Sequence, residues 1–165
     1  MSLDSVRAFF AAHAPDIAVI VSDKSSATVT LAAEAFGVAP ERIAKTLSLR
    51  VGDRVVLVVT KGTARLDNKK AKTAFGAKPR MLDADEVVAL TGHPVGGVCP
   101  FGLATPLQVY CDVSLREFDE VVPAAGSIHS AVRIAPMRMA ELVNAEWVDV
   151  CQQPNALPEP VSAPA

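Results

Sequence analysis

Two β-like runs joined by a two-residue turn constrain this chain more than any other feature. Ile43–Val51 and Arg54–Thr60 are rich in Val, Leu and Ile, and Gly52-Asp53 between them is a strong hairpin signal. A hairpin is marginal alone, so further strands or helices must cover its apolar positions. The sequence supplies both. Val6, Phe9 and Phe10 recur at helical spacing and predict a helix over 2–13, with Pro15 beyond its end. Thr28 caps a second helix that Gly37 stops, Leu66–Phe75 is a basic helix with Asp67 in its first turn, and Asp83–Leu90 is a short one. Ile17–Val21, Leu107–Val113 and Ser130–Ile134 read as strands, Leu115–Phe118 as a turn or short helix, and Pro136 opens a last helix running to Asn144. Strands and helices do not alternate regularly. The expected fold is therefore α+β, with a mixed, mostly antiparallel sheet and surrounding helices, not a doubly wound fold.

The chain has 165 residues, which is room for one domain with a real core. That domain is expected over 1–151. Residues 152–165 hold four of the twelve prolines and read as a disordered tail. The first residues lack the charged-then-apolar order of a secretory signal, and no apolar run is long enough for a membrane span. Three cysteines without framework spacing fit a reducing cytoplasm. Charge is unevenly spread. Residues 41–80 carry eleven Lys/Arg against three Asp/Glu, and residues 81–165 carry three against eleven. A basic face for a polyanion and a merely solvated helix around Lys69, Lys70 and Lys72 both fit this.

Three of the nine glycines fall in Gly96-Gly97-Val98-Cys99-Pro100-Phe101-Gly102. Glycine allows positive φ and close approach, and proline fixes φ, so the stretch predicts a shaped loop presenting main-chain groups. It lacks the Gly-Lys-Ser/Thr ending of a Walker loop and the GxGxxG order of a dinucleotide site. His13, His93, His129 and the cysteines show no metal-ligand spacing, so no metal or cofactor is expected. Cys99 with His93 or His129 is a candidate nucleophile; a small buried cysteine is the plainer reading. Lys45 interrupts an otherwise apolar or small-residue strand. Alternation puts it on one face with Ile43, Leu47 and Leu49, where its ammonium must snorkel to water or face a ligand.

Taken together, several pieces resemble the YbaK/prolyl-tRNA-synthetase-associated (ProX-like) family of aminoacyl-tRNA deacylases. They are Thr28-Val29, Ala32-Ala33 and Phe36-Gly37-Val38; Ile43–Leu47; Asp67 with Lys70; Gly96–Gly102; and Gly126-Ser127-Ile128-His129. The resemblance runs over about residues 1–150. It implies a curved mixed sheet or partial barrel with peripheral helices, and hydrolysis of the ester joining a wrong amino acid to a tRNA 3′ end. It also implies substrate assistance by a ribose hydroxyl and no metal. It puts Lys45, Gly96 and Gly97 in the catalytic role. Thr46, Val98, Cys99, Pro100, Gly102, Ser127 and His129 would bind substrate, and Lys69, Lys70 and Lys72 would meet the tRNA. A small amino acid such as Ala, Ser, Thr or Cys on tRNA-Pro or a related tRNA is the expected substrate, with a synthetase as a possible partner. A non-catalytic tRNA- or synthetase-binding module of the same fold is the alternative. No DNA-binding motif is visible, so no DNA or membrane partner is expected.

Overall fold

The computed structural model describes residues 2–152. Its elements are α1 (Ser2–His13), β1 (Ile20–Val21), α2 (Val29–Phe36), β2 (Ile43–Val51), β3 (Arg54–Lys61), α3 (Asn68–Phe75), β4 (Arg80–Met81) and α4 (Ala84–Thr91). There follow β5 (Gln108–Asp112), β6 (Val122–Pro123), β7 (Ser130–Ala131), α5 (Pro136–Leu142) and β8 (Glu146–Val148). Short 3-10 turns precede β2 at Pro40–Arg42 and follow β5 at Val113–Glu117. The helix starts follow their capping chemistry. The side chains of Thr28, Asp67 and Asp83 accept from the backbone N–H groups of Leu31, Lys70 and Glu86.

The hairpin is the spine of the sheet. β2 and β3 pair antiparallel from Ala44–Lys61 to Val51–Arg54, and the strand order is β4-β2-β3-β5-β8. β4 adds antiparallel to β2, whereas β5 adds parallel to β3 and β8 parallel to β5. β6 pairs with the start of β2 in parallel. The sheet is mixed, as expected, and is not closed into a barrel. β1 and β7 form a separate two-stranded piece. Residues 17–19 and 132–134 lie outside these strands, so the predicted strands there are shorter than expected. The β4 and β8 strands are too short to show a period in the sequence.

Alternation along the hairpin separates two apolar layers. Leu57 and Val59 point into the main core with Val6, Phe10, Phe101 and Leu115, all essentially buried. Val56 and Val58 point the other way, with Leu49, Val51, Ala71, Phe75 and Tyr110. A third cluster joins Ala32, Ala33 and Phe36 of α2 to Ile43 and Val122. Ile43 thus leaves the Leu47–Leu49 layer that strict alternation assigned it to, because β6 pairs beside it and draws it toward α2. Gln152, assigned to the tail from the sequence, donates its N–H to the Arg65 carbonyl at 2.8 Å. The rest of that predicted tail lies outside the described residues.

Candidate active site

One edge of β2 is covered only at its ends. β6 pairs at Ile43 and Ala44, β4 pairs at Leu49 and Arg50, and the edge between them is open. Hydrogen bonding alternates along an antiparallel ladder, and the two-residue turn makes Val51–Arg54 a bonded pair. Residues 45, 47 and 49 therefore bond to β3, while 44, 46 and 48 turn their backbone groups to the other edge. The Ser48 carbonyl there accepts from Leu82 N–H at 3.1 Å. The N–H and C=O of Thr46 face the notch.

A cavity of about 270 Å³ occupies this notch. β2 lines it with consecutive residues 43–46, as an open edge must, and with Ser48. Ala32, Phe36, Val122 and Ala131 make an apolar end, Met81, Leu82 and Val87 the other, and Ser26–Thr28 with Val95, Gly96 and Val98 close over it. Three hydroxyl oxygens in this wall are buried without a hydrogen-bond partner among the described residues: Ser26 Oγ, Thr46 Oγ1 and Ser48 Oγ. Ser26 and Ser48 are 6% and 4% exposed. Ser26 and Ser48 were not singled out from the sequence. The signal available was the small, polar face of β2 at Ala44, Thr46 and Ser48, opposite Leu47 and Leu49.

The glycine-rich loop divides its work. Gly96 has φ +91° and sits against Ala27, where an added Cβ would be 3.1 Å from the Ala27 carbonyl oxygen. Gly97 is turned away from the cavity: its N–H donates to the Pro94 carbonyl at 2.9 Å and its carbonyl accepts from Gly126 N–H at 3.1 Å. It locks the loop and has no free donor to offer a substrate. No described residue accepts from the Gly96 or Val98 N–H. The second half of the loop packs inward, and Cys99, Pro100 and Gly102, expected to bind substrate, are not among the residues lining this cavity. Cys99 is fully buried in the main core. Pro100 and Gly102 border a separate depression beside Phe9, and a Cβ on Gly102 would be 2.6 Å from the Ser5 carbonyl oxygen of α1.

Cys99 does meet His93, with Sγ 3.6 Å from Nε2. His93 is itself 0% exposed, its Nε2 donates to the Phe101 carbonyl at 2.8 Å, and its Nδ1 accepts from the Ser2 hydroxyl. Burial lowers the His93 pKa and pushes the Cys99 thiol up to about 12. A neutral imidazole beside a protonated thiol, closed off from solvent, is not a nucleophile pair. A thiol reagent at pH 8 is therefore expected to label Cys99 only on unfolding, which a native-against-urea labelling time course checks. His93 has a second consequence. The unfolded chain protonates it below its ordinary value near 6.5, whereas the folded chain does so only at a lower pH. Its contribution to stability is present above the ordinary value and is lost as pH falls from there toward the folded one, by at most about 1.4 kcal/mol per pH unit. Urea titrations between pH 7 and 5 should show a shallower loss in His93→Gln.

Ser127 and His129 border the cavity without lining it. Ser127 Oγ pairs with Ser130 Oγ at 2.7 Å and accepts from His129 N–H, and the His129 ring Nδ1 lies 3.1 Å from the Lys24 carbonyl. Ser22 N–H donates to the His129 carbonyl at 2.8 Å and Ser26 N–H to that of Ile128 at 2.6 Å. This segment thus hangs the Ser22–Thr28 loop in place.

Lys45 forms part of the cavity wall, and its Nζ donates to the Ala64 carbonyl at 2.6 Å. Burial lowers its pKa; nearby Cys151 opposes that and Arg65 adds to it. Lys69, Lys70 and Lys72 do not line the cavity. Their helix packs through Ala71 and Phe75 on the Leu49–Val51 layer, across the sheet from the Thr46 and Ser48 hydroxyls. Lys70 is held by Asp149 and the Cys151 carbonyl, both at 3.0 Å, whereas Lys69 and Lys72 are exposed. Among the described residues no group of three or more His, Cys, Asp or Glu could hold a metal ion. No helix there is long and apolar enough to cross a membrane.

A cavity cut into the edge of an open mixed sheet, under a glycine-rich loop, is the main concave feature among the described residues of this α+β domain. The chain belongs to the aminoacyl-tRNA editing domain family, whose model matches residues 23–142. It is 49% identical over 154 residues to the uncharacterised Bacillus subtilis (strain 168) protein YwhH, covering 92% of this chain and 98% of that one. It is 30% identical over 121 residues to the Enterococcus faecalis protein named "Putative Cys-tRNA(Pro)/Cys-tRNA(Cys) deacylase EbsC", covering 72% of this chain and 73% of that one. The fold superposes with TM-score 0.85 and 30% identity on a crystal structure described as "a putative trans-editing enzyme for prolyl tRNA synthetase", covering 92% and 98% of the two chains.

Proposed function

We propose that this chain is a trans-editing deacylase that hydrolyses the ester of a mischarged tRNA, of tRNA-Pro or a related tRNA carrying a small amino acid. The observation that carries this reading is the cavity of about 270 Å³ at the open edge of β2, bounded by Gly96, Val98 and Lys45. An aminoacyl ester is already activated, so positioning and stabilisation of the carbonyl oxygen carry much of the rate. The unspent N–H groups of Gly96 and Val98 are the donors available to that oxygen. The edge carbonyl of Thr46 receives the α-ammonium. Lys45, released from the Ala64 carbonyl, supplies positive charge to the developing oxyanion or to the neighbouring phosphate. Water adds to the carbonyl carbon, the bond to the ribose oxygen breaks, and that oxygen takes up a proton. A ribose hydroxyl assists, which makes RNA the required substrate. Residues 1–151 form the editing unit. Lys69 and Lys72 meet phosphates away from the reacting end, and a synthetase is a candidate partner.

Incubation with a panel of mischarged tRNAs, with release of free amino acid as the readout, tests this. Turnover of at least one small-amino-acid ester above the spontaneous rate is the expected result. Binding of tRNA with no turnover across the panel would replace the deacylase with a binding module of the same fold.

A further inference from the structure

Within the deacylase reading, on which this inference rests, the open question is what kind of side chain the cavity accepts. The wall has two characters. Ala32, Phe36, Val122 and Ala131 offer only carbon at one end, and Met81, Leu82 and Val87 do so at the other. Along β2 and the loop opposite, Ser26 Oγ, Thr46 Oγ1 and Ser48 Oγ are buried and unpaired among the described residues.

Buried polar atoms nearly always find partners, and a native wall with three orphaned hydroxyls calls for a physical reason. Local bonding does not use them. Thr46 and Ser48 sit on one strand, two residues apart, so their side chains project from the same face roughly 7 Å apart. Both residues line the cavity. Ser26 is fixed by its own backbone, through the 2.6 Å bond from its N–H to the Ile128 carbonyl, and so cannot swing away freely. A hydroxyl donates once and accepts twice and rotates to suit its partner. Three of them around a small cavity complement a ligand group that also donates and accepts. An apolar side chain of equal size would leave all three unpaired.

We infer that Ser26, Thr46 and Ser48 form a hydroxyl-recognition site that selects an aminoacyl group bearing a side-chain hydroxyl, serine or threonine, over apolar groups of the same size. The alkyl part lies against the Phe36 end and the hydroxyl meets the three oxygens. A thiol is a weaker donor and acceptor and satisfies the site less well. Sites built to bond a substrate hydroxyl reject analogues lacking it far more strongly than pockets that sort by size alone.

Near-isosteric pairs isolate the hydroxyl. The same tRNA-Pro charged with serine or 2-aminobutyrate, and with threonine or valine, is compared by kcat/KM, with alanine and cysteine esters alongside. The expected preference for the hydroxyl member is on the order of 10²-fold in at least one pair. In Thr46→Val with Ser48→Ala that ratio should fall to within about tenfold of unity, since each hydroxyl contributes about tenfold or less. Thermal melts establish that the variant is folded; the ratio, not the absolute rate, is the readout. Equal rates within both pairs, or a cysteine ester cleaved fastest, would overturn the inference and leave the deacylase standing.

A second measurement does not depend on turnover. A non-hydrolysable 3′-amide-linked seryl-adenosine should bind about tenfold or more tightly than its 2-aminobutyryl counterpart. If no ester is cleaved but this preference holds, the hydroxyl site survives and the deacylase reading falls. Equal binding of the two analogues sinks the site.

Discussion

Gly97→Ala should lose about 2 kcal/mol or more of stability, a large effect for adding one methyl group. The added Cβ would lie 2.8 Å from both Ser127 N and Ser127 C and 2.9 Å from its Cα. All three are backbone atoms, so no rotamer change relieves the overlap. The two segments cannot simply part, because the Gly97 carbonyl accepts from Gly126 N–H across them. Separation would break that bond and pull on Ser127–Ser130, from which the Ser26 loop hangs. Equilibrium urea unfolding checks the loss, and Gly37→Ala is the control: its Cβ would meet nothing within 4 Å, leaving only the strain of its φ of +68°. A Gly97→Ala protein as stable as the native chain would show that Ser127 yields and that this contact does not lock the loop.

Lys45→Ala should lower kcat/KM for the best mischarged tRNA on the order of 10²-fold, the usual cost of losing one preorganised charge or donor at a developing oxyanion. In the free protein the ammonium lies on the Ala64 carbonyl at 2.6 Å, half-buried at the cavity wall. That bond must be given up for the ammonium to reach a substrate in the cavity, whose wall includes Lys45 but not Ala64. Lys45→Arg should not restore the rate, since the planar guanidinium cannot occupy the place of a compact ammonium. Burial lowers the Lys45 pKa from 10.5, so the charge is lost earlier on raising the pH. Enzyme-specific turnover, corrected for spontaneous ester hydrolysis, should therefore decline at a pH below 10.5, and that decline should vanish in Lys45→Ala. A Lys45→Ala enzyme of undiminished rate would remove Lys45 from the mechanism.

Some of this was legible in the residues. Gly52-Asp53 between two apolar runs fixed the β2–β3 register, and Thr28, Asp67 and Asp83 marked three helix starts. Capping and two-residue turns act over a few positions, so local sequence suffices for them. The limits of the glycine-rich stretch were equally local. What each of its residues does was not. Cys99 and Gly102 look as available as Gly96 in the sequence, yet Cys99 is enclosed by the main core and Gly102 abuts Ser5 of α1. The α1 helix lies some ninety residues earlier, and no local pattern states that it docks there.

The sequence by itself determined the hairpin, the principal helices, the mixed sheet and the presence of a backbone-shaped loop, because each follows from periodicity, caps and turns within a short span. Only the tertiary structure decided where the cavity is. β6 and β4 each pair for two residues with opposite ends of β2, and the gap they leave is the cavity. Which hydroxyls stay unpaired, and which half of the loop faces them, depends on packing between segments far apart in the chain. Burial converts ordinary residues such as Ser26 and Ser48 into the costly, unpartnered groups on which the proposed hydroxyl site rests.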